Sequence, residues 1–277
     1  MSVPSHSRST ARFREPLAAK VPEITALFWV IKILTTGMGE ATSDFLIKIN
    51  ILLGGVVGLV AFALALWWQF RVRRYIAAVY WLAVAMVAVF GTLAADGLHV
   101  ELHVPYIGST IFYAIVLAVV FYLWRRDEGT LSIHSIVTRR REVYYWLTVL
   151  ATFALGTATG DLTAFVLHLG FLTSGLMFTG LILIPALAWR RFGLNEIVAF
   201  WWAYVLTRPL GASFADWLSK PHALSGLNLG DGQVAAVATV IIAVLVGYVA
   251  VTRNDIQPPL APVTPPRSAA VSEAEPT

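Results

Sequence analysis

Three charges stand in a stretch that is otherwise apolar: Lys32, Glu40 and Asp44, within FWVIKILTTGMGEATSD at residues 28–44. On insertion scales an ionisable side chain at the centre of a bilayer costs about 2.5–3.5 kcal/mol, and such residues mark ion pathways, proton relays or internal ion pairs. At 100° per residue, Trp29, Lys32, Thr36, Glu40, Ser43 and Asp44 share one helix face, a continuous polar stripe. Its carboxylates and the hydroxyls of Thr35, Thr36, Thr42 and Ser43 form an all-oxygen donor set. That set suits hard cations such as Mg²⁺ or Mn²⁺, or proton exchange at a buried carboxylate. Arg208, within TRPLGAS, is a second internal cation. Lys32 or Arg208 would serve as counter-ion to Glu40 or Asp44 when no substrate is present.

Asp44 belongs to a repeated frame of aromatic residue, Trp, nine residues, Gly, four residues and Asp. It occurs at Trp29, Gly39 and Asp44; at Trp81, Gly91 and Asp96; at Trp146, Gly156 and Asp161; and at Trp201, Gly211 and Asp216. The stripe of the second copy reads Trp81, Val84, Ala88, Thr92, Ala95 and Asp96, and that of the third Trp146, Val149, Phe153, Thr157, Gly160 and Asp161. In the fourth, Trp201, Tyr204, Arg208, Ala212, Ala215 and Asp216 restore a charge. Copies one and four are thus specialised, and two and three are the bare scaffold. Each Asp lies 15 residues beyond its Trp, roughly 22 Å along a helix. Two readings of the four aspartates stand at this point. They cap helix ends or turns, or they form a ring of carboxylates around an axis.

The surroundings of these residues are those of a membrane. The 277-residue chain is 58% hydrophobic and 13% charged with a mean hydropathy of +0.73, beyond the range of soluble domains. Eight windows of spanning length lie near 24–46, 49–70, 76–97, 106–124, 143–162, 170–189, 196–217 and 233–252. The spacing therefore predicts an all-α, polytopic membrane domain over 24–252. A basic tail at 1–23 precedes it, and a disordered Pro- and Ala-rich tail at 253–277 follows. Of 20 Lys and Arg, 16 fall on one side of these windows, the positive-inside pattern, which places both termini in the cytoplasm. The basic clusters then anchor topology and do not mark a nucleic-acid surface. With no cysteine, disulfides, thiolate metal ligands and thiol catalysis are excluded.

The motif tryptophans are 52, 65 and 55 residues apart, two windows to each interval, so the unit is a helical hairpin used four times, at about 24–72, 76–124, 143–191 and 196–252. Because each unit has an even number of spans, the four copies share one orientation, which predicts an eight-helix bundle with pseudo-four-fold or nested two-fold symmetry. The motif glycines let neighbouring backbones approach, and Pro209 predicts a kink or break in its helix. With Trp29, Trp81, Trp146 and Trp201 in register, residues 21–253 resemble a family of bacterial membrane proteins described as uncharacterised and membrane-anchored. That family is built from four tandem copies of a two-span repeat of unknown function. The resemblance implies the fold and a bacterial inner-membrane location, but no activity.

Secondary candidates are weaker. His99, Glu101 and His103, in HVELH, are a possible metal-ligand set, with His168 and His222 in the analogous turns. Neither a nucleophile elbow nor a phosphate loop occurs, so no enzyme activity and no cofactor are expected. The expected function is a small secondary transporter or channel for a cation, proton-coupled or divalent. Its pathway comprises Lys32, Thr36, Glu40, Asp44, Asp96, Asp161, Arg208 and Asp216. The expected partners are the lipid bilayer and a small cation or proton. The competing expectation is a non-transporting scaffold, sensor or assembly factor with an internal salt-bridge network.

Overall fold

The computed structural model describes residues 19–100 and 102–257. The expected terminal tails, apart from 19–23 and 253–257, and Glu101 lie outside the described residues. The described chain is all-helical, with eight long helices: α1 (Ala26–Ile49), α2 (Ile51–Arg71), α3 (Ala77–Val100), α4 (Tyr106–Glu128), α5 (Arg139–Asp161), α6 (Gly170–Phe192), α7 (Glu196–Ser219) and α8 (Asp231–Thr252). Their ends are set by local chemistry. Thr25, Asn50, Thr138 and Asn195 accept backbone N–H groups at the starts of α1, α2, α5 and α7. Gly129 and Gly193 close α4 and α6 in the left-handed conformation. Of the kink or break expected at Pro209, the break does not occur: α7 is continuous through it.

Six of the eight helices, α2 to α6 and α8, are long and apolar enough to cross a membrane. The remaining two carry Lys32, Glu40 and Asp44 (α1) and Arg208 and Asp216 (α7) within their length. Burial sorts the six into two groups. The spanning windows of α3 and α5 are 67% and 61% buried, whereas those of α2, α4, α6 and α8 are 17–28% buried. The odd-numbered helices form a closed inner ring in the order α1, α3, α5, α7 and back to α1. Each even-numbered helix lies outside it, packed chiefly on the first helix of the next hairpin: α2 on α3, α4 on α5, α6 on α7 and α8 on α1.

The motif residues build this ring. Each motif glycine faces the next inner helix: Gly39 meets Ala88, Gly91 meets Phe153, Gly156 meets Arg208 and Pro209, and Gly211 meets Ile33 and Gly37. A Cβ on Gly91 would lie 2.7 Å from the Phe153 Cβ, and one on Gly211 would lie 2.7 Å from the Ile33 carbonyl oxygen. Both are closer than non-bonded heavy atoms pack.

The aromatic pairs repeat the same handing-on. Phe28 packs on Trp81 at 5.6 Å between centroids, Tyr80 on Trp146 at 5.7 Å, Tyr145 on Trp201 at 6.3 Å and Phe200 on Trp29 at 5.7 Å. These eight rings form an aromatic floor across one end of the ring. Beyond it, residues 19–25, the α4–α5 connection and residues 253–257 tie together through Lys20 N–H to Ile136 O, Tyr75 N–H to Ala19 O and Glu23 N–H to Asp255 O. This end carries Arg71, Arg73, Arg74, Arg125, Arg126, Arg139, Arg140 and Arg141 and is called the basic end. The four motif aspartates lie toward the other, acidic end.

Candidate functional site

Above the aromatic floor the four inner helices each contribute one residue to a single contact. Arg208 extends from α7, and its Nη2 donates to Glu40 Oε2 of α1, to Thr92 Oγ1 of α3 at 2.5 Å and to Thr157 Oγ1 of α5 at 2.6 Å. The three acceptors occupy the same place in their repeats, 11 residues beyond the motif Trp, where the fourth copy has the small Ala212. The threonine hydroxyls donate back along their own helices, Thr92 to Ala88 O and Thr157 to Phe153 O, which leaves oxygen lone pairs for the guanidinium. Arg208 is 1% exposed and Glu40 4%. Within that burial Arg208 Nε and Nη1 have no hydrogen-bond partner among the described residues.

Toward the acidic end the carboxylates gather. Oxygens of Glu40, Asp44 and Asp216 all lie within 4.8 Å of one another. Donors on opposite sides of one Mg²⁺ or Ca²⁺ stand roughly 4–5 Å apart, so these three residues would fit a single hard cation. Asp96 and Asp161 are half-buried and have no hydrogen-bond or ion-pair partner among the described residues. Both lie within electrostatic range of Glu40 and of each other. None of the four motif aspartates accepts a backbone N–H through its side chain among the described residues, so the capping reading does not describe them. Counted together, five carboxylates (Glu40, Asp44, Asp96, Asp161 and Asp216) face three basic groups: Lys32, Arg208 and Lys220.

Lys220, just beyond α7, lies outside the polar stripe. Its Nζ lies 2.5 Å from Asp44 Oδ2, 3.7 Å from Asp216 Oδ1 and 3.8 Å from Asp231 Oδ1, and Lys48 closes a further pair with Asp231. The α7–α8 connection holds it there by folding back on α7: Leu227 N–H bonds Trp217 O at 2.6 Å and Asn228 N–H bonds Lys220 O at 2.8 Å. Burial pulls the Lys220 ammonium down, but Asp216, Asp44 and Asp231 outweigh it and hold the group above the ordinary lysine value. Asp216 is local, four residues back along the chain, but Asp44 is 176 residues away, so no local pattern could have assigned the contact that joins α7 to α1.

Lys32 is the opposite case. It is fully buried on α1, about two turns before Glu40, and its Nζ has no hydrogen-bond partner among the described residues. Two rings embrace it instead, Phe153 at 4.0 Å and Tyr204 at 4.4 Å from ammonium to centroid. Phe153 also lies 5.7 Å from the Arg208 guanidinium carbon, so one ring separates two cations. Thr36, the remaining stripe residue, donates to Ile33 O and to Thr207 O of α7 at 3.1 Å, tying α1 to α7 beside Gly211.

The histidine set does not assemble among the described residues. His99 Nδ1 lies 2.8 Å from Val104 O and its ring stacks on Tyr106, while His103 is exposed.

Fold and site together define a helical membrane-type bundle of four hairpins, its inner ring lined by a charged site. A family profile described as Repeat of Unknown Function (DUF347) matches residues 27–75, 79–130, 144–194 and 199–255. The chain belongs to this family, with four tandem repeats. Neither a curated protein nor a solved structure matches it.

Proposed function

We propose that the protein is a small secondary transporter or channel for a hard cation, with Glu40, Asp44 and Asp216 as the ion site and Asp96 and Asp161 as its acidic approach. In this reading all eight helices span a bacterial inner membrane, and α1 and α7 cross inside the ring where their charges are shielded from lipid. Both termini lie in the cytoplasm because the Arg clusters flank that end. The four hairpins are related by a pseudo-four-fold axis, supported by the cyclic handing-on of glycine and aromatic contacts.

The observation that carries the reading is the excess of carboxylates over cations inside a ring of helices. Stability alone gives no reason to gather five acids there, since like charges repel and their desolvation is costly. Arg208 would act as an internal counter-ion whose hold on Glu40 competes with the substrate.

The test is Mn²⁺ flux into proteoliposomes. Glu40→Gln and Asp44→Asn are expected to lower it at least tenfold. Unchanged flux in both variants and in Arg208→Ala, with the protein folded, overturns the assignment. A second reading, a non-transporting scaffold or sensor, is favoured by the self-contained Arg208–Glu40–Thr92–Thr157 network; it requires the wild type to show no flux.

A further inference from the structure

At the acidic end one ammonium stands where the proposed ion would stand. The motif Asp of copies one and four is followed four residues later by a lysine, Lys48 after Asp44 and Lys220 after Asp216, whereas copies two and three have Val100 and Phe165 at that place. One turn of helix would pair each lysine with its own aspartate, but the bundle pairs them across elements. Lys220 Nζ donates to Asp44 Oδ2 of α1 at 2.5 Å and lies within ion-pair range of Asp216 Oδ1 at 3.7 Å. Lys48 reaches from α1 to Asp231, the first residue of α8. Lys220 therefore engages two of the three carboxylates, Asp44 and Asp216, whose oxygens gather with those of Glu40. An ammonium and a metal ion cannot share that place, since like charges a few ångströms apart repel and both claim the same oxygens.

The surroundings of Lys220 define how it could leave. Its backbone is pinned: the N–H groups of Leu227, Asn228, Leu229 and Gly230 bond the carbonyls of Trp217, Lys220, Leu218 and Ser219, and a Cβ on Gly226 would lie 2.0 Å from the Lys220 carbonyl oxygen. Release is thus a motion of the side chain on its flexible four-carbon stem. An acceptor stands beside it. Asp231 is buried, and its Oδ1 has no hydrogen-bond partner among the described residues, because Lys48 holds the other oxygen. That Oδ1 lies 3.8 Å from Lys220 Nζ, so a shift of about 1 Å brings the ammonium to hydrogen-bond length. Asp216 Oδ1, on the side the ammonium would vacate, is likewise buried without a hydrogen-bond partner among the described residues.

We propose that Lys220 is a tethered cation that closes the ion site, and that an entering metal ion displaces it from Asp44 and Asp216 to Asp231. The proposal rests on the cation reading of this site and adds to it the residue that regulates entry. The ammonium keeps its charge and passes from two carboxylates to a third. Around Asp44 and Asp216 a single positive charge is exchanged for the two of a divalent ion, which favours Mg²⁺ or Mn²⁺ over Na⁺ or K⁺ as the displacing ion. Asp231 does not touch the metal in this scheme. It is a positioning residue that receives Lys220.

The test is a set of Mn²⁺ affinities. The full chain in detergent is titrated with MnCl₂, and free Mn²⁺ is read by electron paramagnetic resonance. Lys220→Met is expected to bind Mn²⁺ at least tenfold more tightly than the wild type, and Asp231→Asn at least threefold more weakly. In the Lys220→Met background Asp231→Asn is expected to change the affinity less than twofold, because Asp231 acts through the lysine. A plain loss of negative charge would weaken both backgrounds alike, and that result overturns the proposal. If Lys220→Met does not fold, Lys220→Gln replaces it with the same expectation; if neither folds, unchanged affinity in Asp231→Asn overturns the proposal. Equal or weaker binding in the folded Lys220 variants, with Mn²⁺ bound by the wild type, also overturns it and leaves the cation reading intact. Binding in Lys220→Met but not in the wild type upholds the closure. No Mn²⁺ binding in the wild type or any variant overturns both.

Discussion

Arg208 and Glu40, 168 residues apart, form a buried ion pair between the first helices of the first and last hairpins. Closing the ring of inner helices brings them together, and each leaves the other exposed to a low dielectric if removed. Truncating one partner of such a pair typically costs about 3–5 kcal/mol. Arg208→Ala is therefore expected to lose stability on that scale in detergent unfolding. Thr92→Val, which removes a single acceptor, should lose about 1–3 kcal/mol. Equal losses in the two variants would show that Glu40 is not the dominant partner of Arg208.

The glycine contacts make a prediction about the ring itself. Gly91→Ala and Gly211→Ala place a methyl group against backbone or Cβ atoms of the next inner helix, and overpacking of this kind costs about 1–3 kcal/mol. Gly55→Ala, on the outer α2 with open space at its Cβ, should be neutral or stabilising by up to about 1 kcal/mol through helix propensity. The comparison is made by thermal unfolding of the three variants, and a destabilised Gly55→Ala would show that steric crowding is not what separates them.

The fold was largely legible in the sequence, because both of its signals are local: apolar runs of spanning length, and a Trp-Gly-Asp frame at fixed spacing. The inward stripe was legible for the same reason, and it put Lys32, Thr36, Glu40, Asp44 and Arg208 on faces that do meet. Which residues pair across the ring was not legible. Thr92 and Thr157 stood on the stripe without a role until the bundle closed around Arg208, and Lys220 was visible only as a loop charge. The expected break at Pro209 did not occur because a proline removes one hydrogen bond from a helix that its neighbours hold on several sides. Calling Phe28 and Tyr80 the aromatic half of a frame described their spacing but not that each would pack on the tryptophan of the following repeat.

Lys220 gives the pH prediction. Its ammonium is held above the ordinary lysine value of 10.5 in the folded protein, so its contribution to stability is fully present below that value. The contribution is lost as pH rises from there through the raised folded value. Unfolding between pH 8 and pH 12 should therefore show a decline in the wild type that is weaker in Lys220→Met. At pH 7 Lys220→Met should be the less stable protein, because Asp44 and Asp216 lose their shared partner, and Mn²⁺ should restore more stability to it than to the wild type. A Lys220→Met variant with the wild-type pH profile would show that the alkaline decline comes from other groups.

Lys32 separates stability from function more sharply than any other residue here. Its side chain is fully buried, makes no hydrogen bond among the described residues and lies against two aromatic rings, so the fold gains little from the amine and carries its desolvation. Methionine has a similar length, packs against aromatic rings through sulfur and has no group to desolvate. Lys32→Met is thus expected to unfold at a higher temperature than the wild type, by an amount corresponding to about 1–3 kcal/mol. Arg208→Met is expected to shift in the opposite direction, because it strands Glu40. The same Lys32→Met protein should lose the pH dependence of Mn²⁺ flux while still binding Mn²⁺, since the ion site lies one layer away and keeps all its oxygens. A Lys32→Met variant that unfolds several kcal/mol more easily would mean that the ammonium is structurally required where it sits. A stabilised variant with its pH dependence intact would place the proton-carrying group elsewhere in the site, with Asp96 and Asp161, the two motif carboxylates without an ion-pair partner among the described residues, as the next residues to test.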